Sequence, residues 1–253
     1  MTPRGKFHVG TSGWGFIERE RRFYPTGIIR GGKLGYYAGV FDCLEVNTTF
    51  YRMHKAATFQ KWADSVPDNF QFTFKMWGEV THTKGFTVNP AFIDEFMQAI
   101  ANIGDKRGPI LIQLPPRLTA ANKEGLQTIL RQVKQNDPDN SWPIAVELRN
   151  PLWYTDEVRA MLDQFRVALV LHDMPKSANW TPNENNDFAY FRFHGEKGDY
   201  RGGYTDYFLR GKTLMIVALL KQGKDVYAYF NNTMGDAPFN ALTLQKFVEE
   251  LNG

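Results

Sequence analysis

The chain has 253 residues, 43% of them hydrophobic and 23% charged, a balance that excludes both a disordered chain and a fibrous repeat. Thirty Lys and Arg against 27 Asp and Glu leave a net charge of +3, too mild by itself to imply a nucleic-acid partner. The single cysteine, Cys43, excludes an internal disulfide framework and points to a reducing, cytoplasmic setting. The longest apolar run, Leu214–Leu220, falls far short of the about 20 residues of a membrane span, and MTPRGKFHVG at the N-terminus has no apolar signal region.

In chain order, apolar and β-branched runs predict eight strands: Phe7–Thr11, Leu44–Phe50, Phe70–Trp77, Ile110–Leu114, Ile144–Arg149, Val167–Asp173, Phe188–His194 and Val226–Asn231. Helical patterns separate them, over Gly32–Val40, Ala56–Val66, Pro90–Ile103, Asn122–Gln135, Asp156–Phe165, Asp206–Gln222 and Ala237–Leu251. In the last helix, Phe239, Leu242, Phe247 and Leu251 read as one apolar stripe. Between strands six and seven, Met174–Asp187 is rich in Pro and Asn and predicts a loop in place of a helix.

Strands alternating with helices imply parallel pairing, because a parallel connection needs a crossover of a dozen or more residues. Eight units of about 32 residues match the dimensions of a (β/α)8 barrel. The expected fold is therefore a single-domain, parallel (β/α)8 TIM-type barrel over residues 1–253. A doubly wound sheet is the competing architecture, but the first strand runs into GTSGWGF, which lacks the G-x-G-x-x-G phosphate loop.

Barrels of this type carry catalytic groups at the C-terminal ends of their strands. Here seven strand ends turn polar. Strand two presents Glu45, Asn47 and Thr49 on one face by the period of two; strand three ends at Lys75 and strand four at Gln113. Strand five carries Glu147 and Arg149, strand six His172-Asp173, strand seven Arg192 and His194, and strand eight Asn231-Asn232. Glu147 and Arg149 also fit a structural ion pair. Parity turns only one of His172 and Asp173 inward, and the sequence leaves open which. The glycine-rich segment 195–204, GEKGDYRGGY, fits a phosphate-binding loop or a plain turn equally well. Trp14, Trp77 and Trp153 lie just past strand ends, beside Tyr51, Tyr154 and Tyr204, placed to stack on a substrate or to cap the barrel. His8, His54 and the core thiol Cys43 are assigned no role.

Several long, ordered blocks carry a family resemblance: GTSGWGF (10–16), FYP (23–25), LEVNTTFYR (44–52), FTFK (72–75) with TH (81–82), LIQLPP (111–116), AVELRNPLW (145–153), YFRFHGE (190–196) and YFNN (229–232). Over nearly the whole chain these resemble the domain-of-unknown-function family 72, the YecE-like proteins. The resemblance implies a (β/α)8 barrel with no established activity. Its motif residues fall on Glu45, Asn47, Lys75, His82, Gln113, Glu147, Arg149, Asp173, Arg192, His194, Asn231 and Asn232. Met53-His54 after FYR and Asn150 after Arg149 depart from the pattern, at the rim rather than the centre.

The leading expectation is an enzyme using acid–base chemistry on an anionic small molecule, phosphorylated or carboxylated. Lys75, Arg149 and Arg192 supply positive charge. Glu147 or Glu45 is the expected base, His194 its acid–base partner, and Lys75 completes the catalytic set. Asn47, Gln113, Asp173, Asn231, Asn232, Trp14 and Tyr204 join the two arginines in binding. Hydrolase, lyase and isomerase chemistry all fit. One alternative is a metal-dependent phosphodiesterase or nucleic-acid repair role, which needs converging metal ligands; another is a barrel that binds a metabolite without turning it over. No H-E-x-x-H or Cys cluster is present, and no cofactor or tightly bound metal is expected.

Overall fold

The apolar runs become short parallel strands. A computed structural model describes residues 4–16 and 20–252. Its strands are β1 (Phe7–Thr11), β2 (Cys43–Val46), β3 (Gln71–Lys75), β4 (Arg107–Leu114), β5 (Ile144–Leu148), β6 (Ala168–Leu169), β7 (Leu171–His172), β8 (Phe188–Phe193) and β9 (Asp225–Phe230). The α-helices are α1 (Glu20–Phe23), α2 (Lys33–Ala38), α3 (Thr48–Tyr51), α4 (Ala56–Asp64), α5 (Gly78–Thr81), α6 (Pro90–Ile100), α7 (Lys123–Asn136), α8 (Asp156–Gln164), α9 (Asp206–Lys221) and α10 (Ala237–Asn252). Helix starts follow local chemistry. Thr155 caps α8 by accepting from Val158 N, with Asp156 and Glu157 in the first turn beside the positive end of the helix dipole. Among the described residues, no helix is long and apolar enough to cross a membrane.

Every strand pairing is parallel, in two sheets ordered β1-β9-β8-β7 and β2-β3-β4-β5-β6. The fold is thus parallel α/β as expected, but the eight strands do not form one unbroken ladder. The expected sixth strand is divided at Val170 into β6, in one sheet, and β7, in the other. The loop that follows causes the division. Asn183 Oδ1 accepts from Leu169 N at 2.8 Å, and Asn179 pairs antiparallel with His172, so loop groups meet ladder positions that a neighbouring strand would otherwise fill. At the other seam a single bridge joins Ser12 to Glu45, with Gly13 N donating to Glu45 O at 2.7 Å.

Side chains from the two sheets meet in one interior. Cys43, Leu111, Ala145, Val170, Tyr190 and Tyr229 pack there as an apolar layer. Hydrogen bonds also cross from sheet to sheet: Tyr227 to Gln71 at 2.8 Å, Tyr229 with Thr73 at 2.8 Å, and Tyr190 to Glu45 at 2.6 Å. The opposite strand faces pack under the helices in a larger core that includes Phe72, Phe74, Ile112, Leu148 and Phe191. Burial on both faces explains why these strands read as continuous apolar runs.

Two sequence expectations need correction. Strand two stops at Val46. Asn47 adopts helical backbone angles and Thr48–Tyr51 form a helical turn, so alternation no longer places Asn47 and Thr49 beside Glu45. Thr49 turns back to donate to Val46 O and Lys75 O. In α10 the buried face is Ala237, Ala241, Leu244, Phe247 and Val248, whereas Leu242 and Leu251 are exposed. The stripe was misphased because large side chains suggested it, while the helix packs closely through its alanines. The 174–187 segment holds no helix, as expected.

Candidate active site

Alternation along β8 puts Tyr190 and Arg192, with His194 just past its end, on the interior face, and they converge on carboxylates from the other sheet. Arg192 is 1% exposed. Its Nε donates to both oxygens of Glu45, at 2.8 and 3.1 Å, and its Nη2 donates to Oε1 at 2.7 Å. Its Nη1 reaches Glu147 Oε2 at 2.9 Å. Arg149 closes on the other oxygen of Glu147 through Nε. Burying these charges is costly, and only such multidentate geometry offsets the loss of water. Burial pushes the Glu45 and Glu147 carboxyls up, but Arg192 at Glu45, and Arg149 with Arg192 at Glu147, overcome it and hold both below the usual carboxylate range. Both glutamates are therefore ionised but weakly basic, with their lone pairs engaged.

His194 is fixed from both sides. Arg149 Nη2 and Arg192 Nη1 each lie 3.0 Å from Nε2, and a guanidinium only donates, so Nε2 is the acceptor. The proton then sits on Nδ1, 3.0 Å from Asp173 Oδ1, which also accepts the His194 backbone N–H at 2.8 Å. This tautomer follows from the hydrogen-bond network. Burial pushes the imidazole pKa well down; Glu147 opposes the shift, and the two arginines reinforce it. Asp173 moves the other way, to about 6, because it is buried. Tyr204 donates to Asp173 Oδ2 and accepts from Gly195 N. It holds Asp173 in place, in contrast to the stacking role suggested by its sequence position.

The remaining expected residues divide into a rim and outliers. Lys75, the last residue of β3, has its Nζ 4.2 Å from the Phe50 ring centre and no hydrogen-bond partner among the described residues. Burial lowers its pKa to about 7, with Arg192 adding to the shift and the two glutamates opposing it. Gln113 faces His82 at 3.5 Å, and Asn47 faces Asn231 at 3.5 Å. His82 is pushed down to about 4 by burial and by the nearby Lys75 and Arg117 cations. Asn232 points elsewhere, donating to Gly202 O and Asn240. Trp14 lines a different cavity, against Trp62, and Trp153 is core, its Nε1 donating to Leu118 O at 2.8 Å.

The structure also answers the open question at strand six. His172 is the buried strand residue, bonded to Tyr154 and lying 5.8 Å ring to ring from His194. Asp173 still reaches the cluster from the loop. The 195–204 segment is a turn that satisfies itself: Gly198 N donates to Gly195 O, Tyr200 N to His194 O and Arg201 N to Asp199. These amides are not presented to a phosphate. At Gly195, φ is +90° and a Cβ would lie 2.5 Å from Arg201 O, so the turn requires glycine. Sequence reasoning missed Tyr190, although its spacing of two from Arg192 signals the shared face; Tyr154, which the sequence offered for stacking or capping, instead donates to Leu148 O and Ser177 O beside His172. Among the described residues, no trio of His, Cys, Asp or Glu is placed to hold a metal ion.

Comparison with known proteins adds the family. A family model described as protein of unknown function DUF72 matches residues 8–252. The chain is 29% identical over 154 residues to UPF0759 protein YunF of Bacillus subtilis strain 168, covering 58% of this chain and 52% of that protein. It is 29% identical over 79 residues to UPF0759 protein YecE of Escherichia coli K12, covering 31% and 29%. The match thus spans about half the length of the first curated relative and under a third of the second. A crystal structure of a DUF72 family protein from Thermotoga maritima superposes with a TM-score of 0.84 at 27% identity, covering 96% of this chain and 99% of that one. Another, from Enterococcus faecalis V583, gives 0.80 at 22% identity over 98% and 99%.

Proposed function

The chain belongs to the DUF72 family, and on that premise we propose that it is an enzyme acting by acid–base chemistry on an anionic small molecule, with Lys75 as its working base. The two sheets are read as halves of one (β/α)8 barrel. The Ser12–Glu45 bridge, the run through Val170 and the sheet-to-sheet hydrogen bonds support that reading. The polar cluster then occupies the C-terminal mouth, where such barrels do their chemistry.

One observation carries the proposal. Of the groups in the cluster and its rim, Lys75 alone combines a pKa near 7 with a side chain that has no hydrogen-bond partner among the described residues. A half-deprotonated amine beside fixed guanidinium groups is suited to take a proton from a bound anion at neutral pH. Arg149 uses Nε on Glu147 and Nη2 on His194, which leaves Nη1 for an oxyanion. Glu45, Glu147 and His194 are assigned the work of orienting the arginines, in place of the proton transfer expected from their residue types. The metal-dependent alternative asks Glu45, Glu147 and His194 to turn to cations, yet each already faces a guanidinium. A protein that only binds has no need of a lysine whose pKa is lowered to about 7.

The test is a turnover screen across phosphorylated and carboxylated metabolites, comparing the parent with Lys75→Met and Lys75→Arg. The expected result is a rate that rises with pH around 7 in the parent and is lost in both variants. Undiminished turnover in Lys75→Met sinks the assignment.

A further inference from the structure

A second cavity, of about 650 Å³, lies beyond the ends of β1 and β2 and contains none of the cluster residues. Its wall includes Trp14 from the loop after β1, the 48–55 segment and the length of α4. Arg52, Lys55 and Lys61 line it, and among the described residues no carboxylate does. None of these three cations has an ion-pair partner among the described residues, in contrast to Lys106, Lys123 and Arg166, which pair with Asp68, Glu157 and Asp187. With a net charge of only +3, gathering three unpaired cations around one hollow is not a by-product of excess charge. Like charges so placed repel each other, and an anion between them reverses that cost.

Two further features bear on the ligand. Helix α4 begins at this wall with Lys55 as an uncapped N-cap and no acid in its first turn, so its dipole adds to the positive field. The aromatic side is rigid. Trp62 packs edge-on against Trp14 at 5.7 Å and against His54 at 5.0 Å, and His54 is tied to Thr48 Oγ1 at 2.9 Å. Trp62 remains only half-buried, which leaves indole surface toward the hollow.

We propose that this cavity binds a small phosphorylated ligand bearing a flat ring, with the phosphate among Arg52, Lys55 and Lys61 and the ring along Trp62. The site shares no residue with the Lys75 cluster and stands independently of its chemistry. Adenosine 5′-monophosphate is a suitable calorimetric probe, with ribose 5-phosphate, adenosine and inorganic phosphate as its parts. The expected result is saturable one-to-one binding of the monophosphate, unchanged in Lys75→Met and weakened at least about tenfold in Arg52→Glu and Lys61→Glu, as the loss of a charge-assisted contact requires. Trp62→Ala weakens the monophosphate toward the affinity of ribose 5-phosphate and leaves the latter unmoved. Arg52 and Lys61 are exposed, so their variants fold, and circular dichroism verifies it. The proposal is overturned if no probe saturates the parent at about 10 mM, a concentration that corresponds to a contact of negligible strength, or if the Arg52→Glu/Lys61→Glu double variant binds as the parent does.

Discussion

Replacing Glu45 with alanine strands a buried cation. Arg192 is 1% exposed and directs Nε and Nη2 to Glu45, leaving Glu147, itself shared with Arg149, as its other carboxylate. Breaking a buried pair from one side costs about 3–5 kcal/mol. For a chain of this size each kcal/mol moves Tm by about 2–4 °C, so the expected loss is about 6–20 °C. Calorimetry together with urea unfolding followed by circular dichroism measures it. Glu45→Gln, which keeps an acceptor but not the charge, should fall between the two. The double variant Glu45→Leu/Arg192→Met should be more stable than Glu45→Ala, because no lone charge remains buried. Both glutamates are held below the ordinary 4.5, so the stability they confer is complete above that pH and is lost as pH falls beneath it. Glu45→Ala should accordingly show a shallower acid limb. A folded Glu45→Ala that loses less than about 1 kcal/mol would refute the reasoning, because the guanidinium would then have found water or another partner.

Three other outcomes follow from the same network. Tyr204→Phe removes a hydrogen bond that favours ionised Asp173, so the Asp173 titration should move up from about 6, as read by carboxyl carbon NMR; a downward move contradicts the assignment. Nitrogen NMR should find His194 protonated on Nδ1 and bare on Nε2, with no titration near 6.5; a midpoint there would mean the arginines do not hold it. Elemental analysis of protein prepared without chelator should find no stoichiometric divalent metal, because Glu45 and Glu147 already give their oxygens to guanidinium groups. Zinc, manganese or iron lost on changing Glu147 would reverse that conclusion.

The strand ends were legible because burial on both faces makes an apolar run, and an ionisable residue at its end then stands out. That logic located Glu45, Lys75, Glu147, Arg192 and His194. It did not reveal what they do to one another. Opposite charges at adjacent strand ends look like a catalytic set in sequence, yet here Arg192 uses most of its donors on Glu45 and Glu147. Lys75 differs only in lacking such a partner, a property of three-dimensional spacing. Alternation misled where the backbone left the extended region, at Asn47, and residue type misled where a large aromatic served as a brace, at Tyr204 and Trp153. The division at Val170 depends on loop asparagines whose reach no local pattern reveals.

Those asparagines put side-chain amides where a helix would use only its backbone. Asn179, Asn183 and Asn186 are buried and stitch the 174–187 segment to the strands, with Asn179 Nδ2 on Val170 O, Asn183 Nδ2 on Val167 O and Asn186 Nδ2 on Asn183. A helix in that place would be held by backbone amides, which do not hydrolyse on the timescale of ageing. Side-chain amides are among the heat-sensitive groups that thermophilic proteins reduce. Conversion of Asn183 to aspartate would set a carboxylate against Val167 O and the side chain of Asp163, turning a donor into a repulsion at the seam between the sheets. Such a conversion, read as a one-dalton mass gain in this loop, would loosen the place where the two sheets part.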